Sequence, residues 1–186
     1  MMPNDPRAGE SDHLGSRAVE MTKMLLDKLS IEAAVTCRTR MDERPAHVWV
    51  DIATSQSGLL IGERGTHLHA FEHVLRLLLR QELSTVECRC FVDVNGYRLR
   101  RMEFLKRLAR DAARRVMSSQ HAVTLDPMPA VERRIVHLAL TGEALVETGS
   151  VGAGADRRVV IRPRDPFLTP EHAAPASRSA SSPSAS

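Results

Sequence analysis

Two glycines three residues apart, Gly62 and Gly65, stand in the middle of the chain between a strand pair and a long amphipathic helix. Because glycine has no Cβ, each can adopt backbone conformations that other residues rarely take, and another molecule can approach it closely. The helix that follows begins near Thr66, so its unpaired N–H groups and the positive end of its dipole lie beside the loop. The Gly62-Glu63-Arg64-Gly65 loop is therefore expected to be a turn that can receive a phosphate, although alone it is equally consistent with an ordinary turn.

Hydrophobic spacing around this loop predicts one small module over residues 15–96. Segments with helical spacing alternate with segments in which every second residue is apolar, the pattern of strands with one buried face. In the second strand, Val48 and Val50 face one side, and His47 and Trp49 face the other. The predicted order is α-β-β-α-α-β: a helix from Ala18, strands at 34–41 and 46–53, a short helical segment before the loop, a helix at 66–82 and a strand at 86–94.

A second module of order α-β-α-β-β is predicted over residues 97–164. A glycine-rich segment at 149–154 is expected to form a flexible turn between its last two strands. Residues 1–14 and 165–186 lack apolar periodicity and are expected to be disordered. The predicted fold class is α+β, with two small tandem modules. The elements of the second module are a helix at 97–118, a strand at 123–125, a helix at 130–140 and strands at 144–148 and 157–162.

Basic residues are concentrated in the first helix of the second module. The chain of 186 residues has a formal net charge of only +3, but the segment from Arg98 to Arg115 holds eight basic and two acidic residues, a local excess of +6. This concentration is expected where a polyanion binds, although many arginine-rich helices are only solvated. The face opposite the apolar stripe carries Arg100, Arg107, Arg110 and Arg114.

Composition also excludes two classes of protein. No stretch approaches the roughly 20 apolar residues that a membrane-spanning helix needs, and the first residues form no apolar signal segment. The cysteines Cys37, Cys88 and Cys90 are an odd number without metal-ligand spacing, so neither a disulfide framework nor a zinc site is predicted. We therefore expect a cytoplasmic protein without membrane insertion, metal or cofactor.

Arg133 and His137 are four residues apart on one predicted helix and so share a face. A guanidinium and an imidazole there can together hold a phosphate or stack on a base. Arg134 would support them, as would Arg157 and Arg158 beside the glycine-rich turn. An isolated pair of this kind is more often part of a solvated helix, so the residues around it decide its interpretation.

A third pattern, His69-Ala70-Phe71-Glu72-His73, matches the HxxEH motif of one class of zinc metallopeptidases. Its histidines lie one helical turn apart, and its glutamate would act as the base. Phe71, however, belongs to the apolar stripe of the helix, and a hydrolase would also need a third protein ligand. The expected interpretation is therefore histidines on an amphipathic helix, with a metallohydrolase as the remote alternative.

The loop within its α-β-β-α-α-β order resembles the type-II KH domain, whose loop clamps about four nucleotides of a single strand. In that resemblance Gly62 and Gly65 allow the close approach, and Arg64 supplies charge. Glu63 departs from the pattern, because binding loops usually carry basic residues there. A second resemblance, to the R-three-H domain that binds single-stranded nucleic acid, rests on residues 123–140, 147–152 and 156–161.

A KH domain over residues 15–96 followed by an R-three-H domain over 97–164 resembles one bacterial family of RNA-binding proteins, the Jag or SpoIIIJ-associated (KhpB-like) family. The resemblance implies a noncatalytic, cytoplasmic protein that binds single-stranded RNA, with single-stranded DNA left open. It also implies post-transcriptional regulation linked to cell elongation or division, and a small KH-domain partner protein. The N-terminal Jag-N domain of many members is not expected, because residues 1–14 are too few for one.

A function from another class stays open: a KH module for protein docking or dimerisation, with weak or no RNA binding. Glu63 favours it because a carboxylate repels phosphate. The aromatic content of 3% favours it because few rings are available to stack on bases.

Overall fold

The computed structural model describes residues 6–41, 45–82 and 88–164, and the chain divides into two compact units after Phe104. The predicted α+β class and the predicted order of elements are confirmed. The predicted disordered tail at 165–186 lies outside the described residues, as does most of the turn predicted at 42–45. The first unit contains helix α1 (Pro6–Lys28), strands β1 (Ala34–Arg40) and β2 (Ala46–Ala53), helix α2 (Ser57–Ile61), a 3₁₀ turn (Glu63–Gly65), helix α3 (Thr66–Glu82), strand β3 (Cys88–Val94) and the start of helix α4 (Tyr97–Ser119).

A three-stranded sheet of order β1-β2-β3 is the base of the first unit, with β1 and β2 antiparallel and β2 and β3 parallel. The predicted alternation holds in β2, where Val48, Val50 and Ile52 are at most 2% exposed. Helices α1 and α3 cover this buried face, and Leu75 and Leu79 of α3 join the same core. Parallel strands need a crossover connection, and α2, the glycine loop and α3 supply it. The crossover therefore fixes where the loop lies.

Helix α1 begins at Pro6, so the prediction that residues 1–14 are disordered is wrong for residues 6–14. Proline is well tolerated in the first turn of a helix, where its missing N–H has no partner to lose. Leu14 and Ala18 lie one turn apart, and both are at most 1% exposed in the first core. Burial of this face outweighs the weak helix propensity of the Gly and Ser residues on which the prediction rested.

The second unit packs two helices against a three-stranded antiparallel sheet of order β4-β6-β5. Four positions of the apolar stripe predicted on α4 are fully buried, and they pack with residues of α5 and β6. The remaining elements are β4 (Val123–Pro127), α5 (Ala130–Ala139), β5 (Val146–Val151), a 3₁₀ turn (Gly154–Asp156) and β6 (Arg158–Pro163). The core includes Leu105, Ala109, Ala112, Val116, Val136, Val159 and Ile161.

The glycine-rich segment at 149–154 is partly strand, which corrects the prediction of a flexible turn there. Strand β5 spans Val146–Val151, and Ser150 pairs with Val159 of β6. The low strand propensity of glycine led the prediction to end the strand too early, but pairing with β6 overrides it. Because successive strand residues point to opposite faces, Thr148 and Ser150 lie on the same face.

The division after Phe104 falls inside α4, eight residues beyond the module boundary predicted between 96 and 97. The start of α4 packs on the first unit, since Tyr97 lies against its core. Arg98 donates from Nε to the carbonyl oxygen of Val92 at 2.7 Å and pairs with the carboxylate of Glu72. The first turns of α4 therefore belong with the first unit and its later turns with the second.

The structure also bears on the membrane and cysteine predictions. Within the described ranges, no helix has both the length and the apolar character needed to cross a bilayer.

The three cysteines are free thiols. Burial raises the pKa of Cys37 to about 11 and that of Cys90 to about 12, and it also raises the pKa of Cys88. At neutral pH these thiols are therefore uncharged and pack as small apolar groups.

Candidate nucleic-acid interface

The loop between α2 and α3 has an unusual backbone. Three of its four residues have positive φ: Gly62 at 67°, Arg64 at 53° and Gly65 at 85°. A side chain with a Cβ is strained in this region, whereas glycine is not. The two glycines therefore stand where the backbone conformation calls for them, and Arg64 adopts the same region between them.

The ring of His67 leaves no room for a side chain at Gly62. A Cβ at Gly62 would lie 2.5 Å from the Cγ of the His67 ring, which is far inside contact distance. The ring is held in place because its Nδ1 donates a hydrogen bond of 2.8 Å to the carbonyl oxygen of Leu59. His67 thus connects α3 to α2 across the loop and fixes the chain that enters it.

The ring of Tyr97 lies close beside Gly65, the second glycine of the loop. A Cβ at Gly65 would lie 3.0 Å from one ring carbon of Tyr97 and 3.2 Å from its hydroxyl oxygen. Gly65 is itself buried, and the Tyr97 ring packs on the first core. The loop backbone therefore rests on two rings, one from α3 and one from the start of α4.

The side chains of the loop carry little net charge. Arg64 Nε is 3.8 Å from Glu63 Oε1, and the Glu63 side chain is 84% exposed while that of Arg64 is 35% exposed. The carboxylate thus offsets part of the attraction that Arg64 exerts on a phosphate. Because the His67 and Tyr97 rings fill the space beside the two glycines, what the loop offers an anion is mainly its backbone N–H groups and the N-terminus of α3.

In the second unit, Arg133 and His137 meet at one hydroxyl group. Arg133 Nη1 lies 3.3 Å from Ser150 Oγ, and His137 Nε2 lies 3.0 Å from the same oxygen. His137 Nδ1 is 2.7 Å from Thr148 Oγ1, and Arg133 Nε donates to the carbonyl oxygen of Met128 at 3.3 Å. The helical spacing read from the sequence therefore corresponds to a real cluster, which we call the Ser150 cluster (Arg133, His137, Thr148 and Ser150).

The imidazole of the Ser150 cluster is neutral at pH 7. Burial lowers the pKa of His137, and the positive charge of Arg133 lowers it further. A neutral ring has one N–H donor and one acceptor, and the hydroxyls of Thr148 and Ser150 can each donate or accept. Both ring nitrogens of His137 therefore have hydrogen-bond partners. The permanent positive charge of Arg133 lies beside this ring, and a bound anion would favour protonation of the ring.

The other basic residues predicted for the second module are placed differently. Arg134 follows Arg133 on α5 and is exposed, as is Arg157. Arg158 is half-buried, and its Nε donates to the carbonyl oxygen of Asp156 at 3.1 Å. Arg133 and His137 thus meet at Ser150 Oγ, whereas Arg134, Arg157 and Arg158 are outside the Ser150 cluster.

Helix α4 presents its predicted basic residues to solvent. In the second unit Arg107, Arg110 and Arg114 are exposed, and Arg114 pairs with the carboxylate of Asp111 one turn earlier. In the first unit Arg100 is exposed, and its guanidinium donates to the carbonyl oxygen of Asn95. Exposed arginines of this kind attract a polyanion without reading its sequence.

Glu72 and His73 of the HxxEH pattern make contacts with other residues of the first unit. Glu72 accepts a hydrogen bond of 3.0 Å from the backbone N–H of Val92 and pairs with Arg98. His73 Nδ1 is 2.8 Å from Arg76 Nη2. Among the described residues, no three His, Cys, Asp or Glu side chains are grouped closely enough to hold a metal ion. The glutamate of the pattern ties α3 to β3 and to the start of α4.

Sequence reasoning missed four residues that shape these two sites. His67 and Tyr97 support the loop, and Thr148 and Ser150 complete the cluster. The only signal for the second pair was a threonine and a serine two apart in a strand, and that signal needed the correct end of β5. Nothing local identified His67 or Tyr97, because their contacts depend on tertiary packing.

Known proteins resemble this chain over most of its length. The family model of the R-three-H domain matches residues 103–163, which include the whole Ser150 cluster. The chain is 32% identical over 155 residues to the RNA-binding protein KhpB of Clostridium symbiosum, covering 83% of this chain and 68% of that protein. It is 32% identical over 145 residues to the RNA-binding protein KhpB of Bacillus subtilis, covering 77% and 69%. A third relative, the RNA-binding protein KhpB of Lactiplantibacillus plantarum, is 33% identical over 130 residues, covering 70% and 40%.

Proposed function

The chain belongs to the KhpB family, and from that premise we propose that it binds single-stranded RNA without catalysing a reaction. The observation that carries the proposal is the convergence of Arg133 and His137 on Ser150 Oγ, within the segment that the R-three-H model matches. Two side chains that already point N–H donors or ring nitrogens at one oxygen can hold a phosphate oxygen in the same way. Arg133 supplies the permanent charge for this contact.

The Gly62–Gly65 loop is the second contact in this proposal. Its glycines permit the positive-φ backbone of the loop, and that conformation is fixed before binding by His67 and Tyr97. The backbone N–H groups at the start of α3 can then meet a phosphate of the strand. Because Glu63 offsets Arg64, we assign the loop the smaller share of the affinity. Two weak contacts on one chain still strengthen each other, since binding at one raises the effective concentration at the other.

The remaining arginines widen the electrostatic surface. Arg100, Arg107, Arg110 and Arg114 on α4 lie exposed, and we propose that they contact phosphates with Arg134, Arg157 and Arg158 in support. Such contacts release counterions, so affinity should fall steeply as salt rises. They do not distinguish RNA from single-stranded DNA, which differ at the 2′-hydroxyl, so parallel titration with both strands decides that point.

The biological part of the proposal is regulatory. The chain would act in the cytoplasm as a post-transcriptional regulator linked to cell elongation or division, together with a small KH-domain partner protein. Its support is the order of the two modules, a KH-like unit followed by an R-three-H domain, which is the order that the family resemblance rests on.

A protein-docking module with little RNA binding is the second candidate function. One observation favours it: the carboxylate of Glu63 is 84% exposed in the loop, where it repels phosphate. A docking module needs no phosphate contact at the Ser150 cluster. The two candidates therefore differ in whether RNA is bound to the protein in cells.

Crosslinking in living cells separates the two candidates. The tagged whole chain is irradiated, purified under denaturing conditions and assayed for covalently attached RNA. We expect recovery well above that of an unrelated tagged protein, and a large loss in the Arg133→Ala, His137→Ala double variant. Background recovery from the unaltered chain would reject RNA binding and leave the docking function.

A further inference from the structure

The face of the first sheet that points away from α1 and α3 carries three parallel rings. His47 and Trp49 on β2 and Phe91 on β3 have ring centroids 5.4–6.0 Å apart and interplanar angles of 14–19°. Their positions alternate along the strands with the buried valines of the core. Three rings in one orientation form an offset stack that a further ring can extend.

Strand register surrounds these rings with arginines. Arg38 lies opposite Trp49, and Arg40 and Arg89 lie on either side of His47. All three arginines are exposed, and the guanidinium carbon of Arg40 is 5.9 Å from the centre of the Trp49 ring. We call this set of six residues the aromatic face (Arg38, Arg40, His47, Trp49, Arg89 and Phe91).

In the described part of this sheet surface, the acidic residues lie in the next row and have partners of their own. Asp51 accepts a hydrogen bond of 3.0 Å from Arg38. Asp93 accepts hydrogen bonds of 3.0 Å from the backbone N–H groups of Val94 and Arg98. These two carboxylates are thus engaged locally, and among the residues that the structure describes, the charged side chains that register places beside the rings are arginines.

We infer that the aromatic face binds unpaired bases of nucleic acid, an inference that rests on the proposed function and adds a contact distinct from the loop and the Ser150 cluster. The chemistry of the face selects this occupant: a single strand offers flat rings to stack and phosphates to pair with arginine. Rings on the open face of a sheet can stack bases in this way. Base stacking tolerates any sequence, so this contact would add affinity without selectivity.

Trp49 makes the inference directly testable. It is the only tryptophan of the 186-residue chain, so its fluorescence reports on the aromatic face alone. The whole chain is titrated at low salt with a short oligouridine RNA and with an abasic strand of equal length. Anisotropy of the labelled strands measures total binding in parallel. We expect saturable quenching of Trp49 that follows oligouridine binding, and no quenching by the abasic strand at equal occupancy.

A matched pair of variants isolates the ring contribution. Phe91→Leu keeps the apolar bulk of the side chain but removes a ring from the stack, and it should weaken oligouridine binding roughly fivefold or more while leaving abasic-strand binding unchanged. Phe104→Leu is the control, because Phe104 is an exposed ring elsewhere that also has an arginine nearby, with Arg101 5.4 Å from its centre. The control should bind both strands as the unaltered chain does.

Three results would overturn the inference, and they are distinguishable. Saturable anisotropy with unchanged Trp49 emission would reject the aromatic face and leave the proposed function intact. No anisotropy change with any strand would reject both. Trp49 emission that changes with protein concentration in the absence of RNA, together with a doubled mass in sedimentation, would assign the face to contact between two copies of this chain.

Discussion

The loop of the first unit and the Ser150 cluster of the second are built in opposite ways, although we propose that both bind phosphate. The loop is a backbone structure: Gly62 and Gly65 have positive φ, and rings lie directly against them. The cluster is a side-chain structure, in which Arg133 and His137 reach across from α5 to hydroxyls of β5. One site is therefore built by the fold of the chain, and the other by the identity of a few side chains.

This difference predicts different responses to mutation. Changing a loop glycine should disturb local packing, because a Cβ at Gly62 would overlap the His67 ring and a Cβ at Gly65 would crowd the Tyr97 ring. Changing Arg133 or His137 removes a half-exposed side chain and leaves the core of the second unit in place. Affinity and stability should thus change together in the first site and separately in the second.

The largest expected effect comes from removing the side chains of the cluster. Arg133→Ala with His137→Ala should weaken binding of single-stranded RNA about tenfold to a hundredfold, because a hydrogen bond to a charged group contributes about 1.5–3 kcal/mol. Fluorescence anisotropy with a labelled oligonucleotide measures the change. Arg80→Ala is the control, since Arg80 is an exposed cation at the end of α3. Equal affinities of the double variant and the control would remove the cluster from the interface.

A glycine substitution in the loop should have the next largest effect. Gly62→Ala places a Cβ 2.5 Å from the His67 ring and a side chain in a region of φ that costs about 1–2 kcal/mol. We expect roughly tenfold weaker RNA binding and a lower melting temperature.

Gly58→Ala is the matched control for that substitution, because Gly58 lies in α2 and a Cβ there would have no atom within 4 Å. This variant should bind RNA like the unaltered chain and be at least as stable, since alanine favours a helix. If both variants behave alike, the loop backbone has no special role.

Reversing the charge of Glu63 should produce a smaller gain. Glu63→Lys removes a repulsion and adds a phosphate contact, so affinity should rise up to about fivefold. The slope of log affinity against log salt should steepen by about 0.7, the value for one added phosphate contact on a single strand. Asp27→Lys, at an exposed position near the end of α1, controls for the general change in charge. The same gain in both variants would place the effect outside the loop.

The smallest expected effect is the dependence on pH. The pKa of His137 is lowered in the free protein, and a phosphate bound beside the ring would raise it. Affinity should therefore increase roughly threefold as pH falls through the pKa of the complex, and level off below that of the free protein. Titration between pH 7.5 and 5.5 checks the trend, with His137→Gln expected to lose it. A trend that persists in His137→Gln would assign the proton to another group.

Much of the fold follows from periodicity, because regular elements depend on the local spacing of apolar residues. Helix α3 begins at Thr66 and ends at Glu82, as predicted, and the alternation of β2 sets its buried face. Prediction failed where tertiary contacts override local preference, as in the extension of α1 to Pro6 and of β5 to Val151.

The candidate sites show the same difference between residues found from local spacing and residues that depend on tertiary contacts. Arg133 and His137 were singled out because residues four apart on a helix share a face, and the R-three-H-like sequence around them decided their interpretation. Ser150 and His67 could not be found in that way. Ser150 lies 13 residues beyond His137, and only the pairing of β5 with β6 turns it toward the helix. His67 matters only because its ring lies on Gly62.

The most direct test of the central claim is a titration of the purified whole chain with an unstructured RNA oligonucleotide at low ionic strength, repeated as salt is raised. We predict saturable binding, with an affinity whose logarithm falls linearly with the logarithm of salt concentration, by about 0.7 per phosphate contacted. The Arg133→Ala, His137→Ala variant should bind more weakly and with a shallower slope. Failure of the unaltered chain to bind such a strand at the lowest salt would contradict RNA binding as its function.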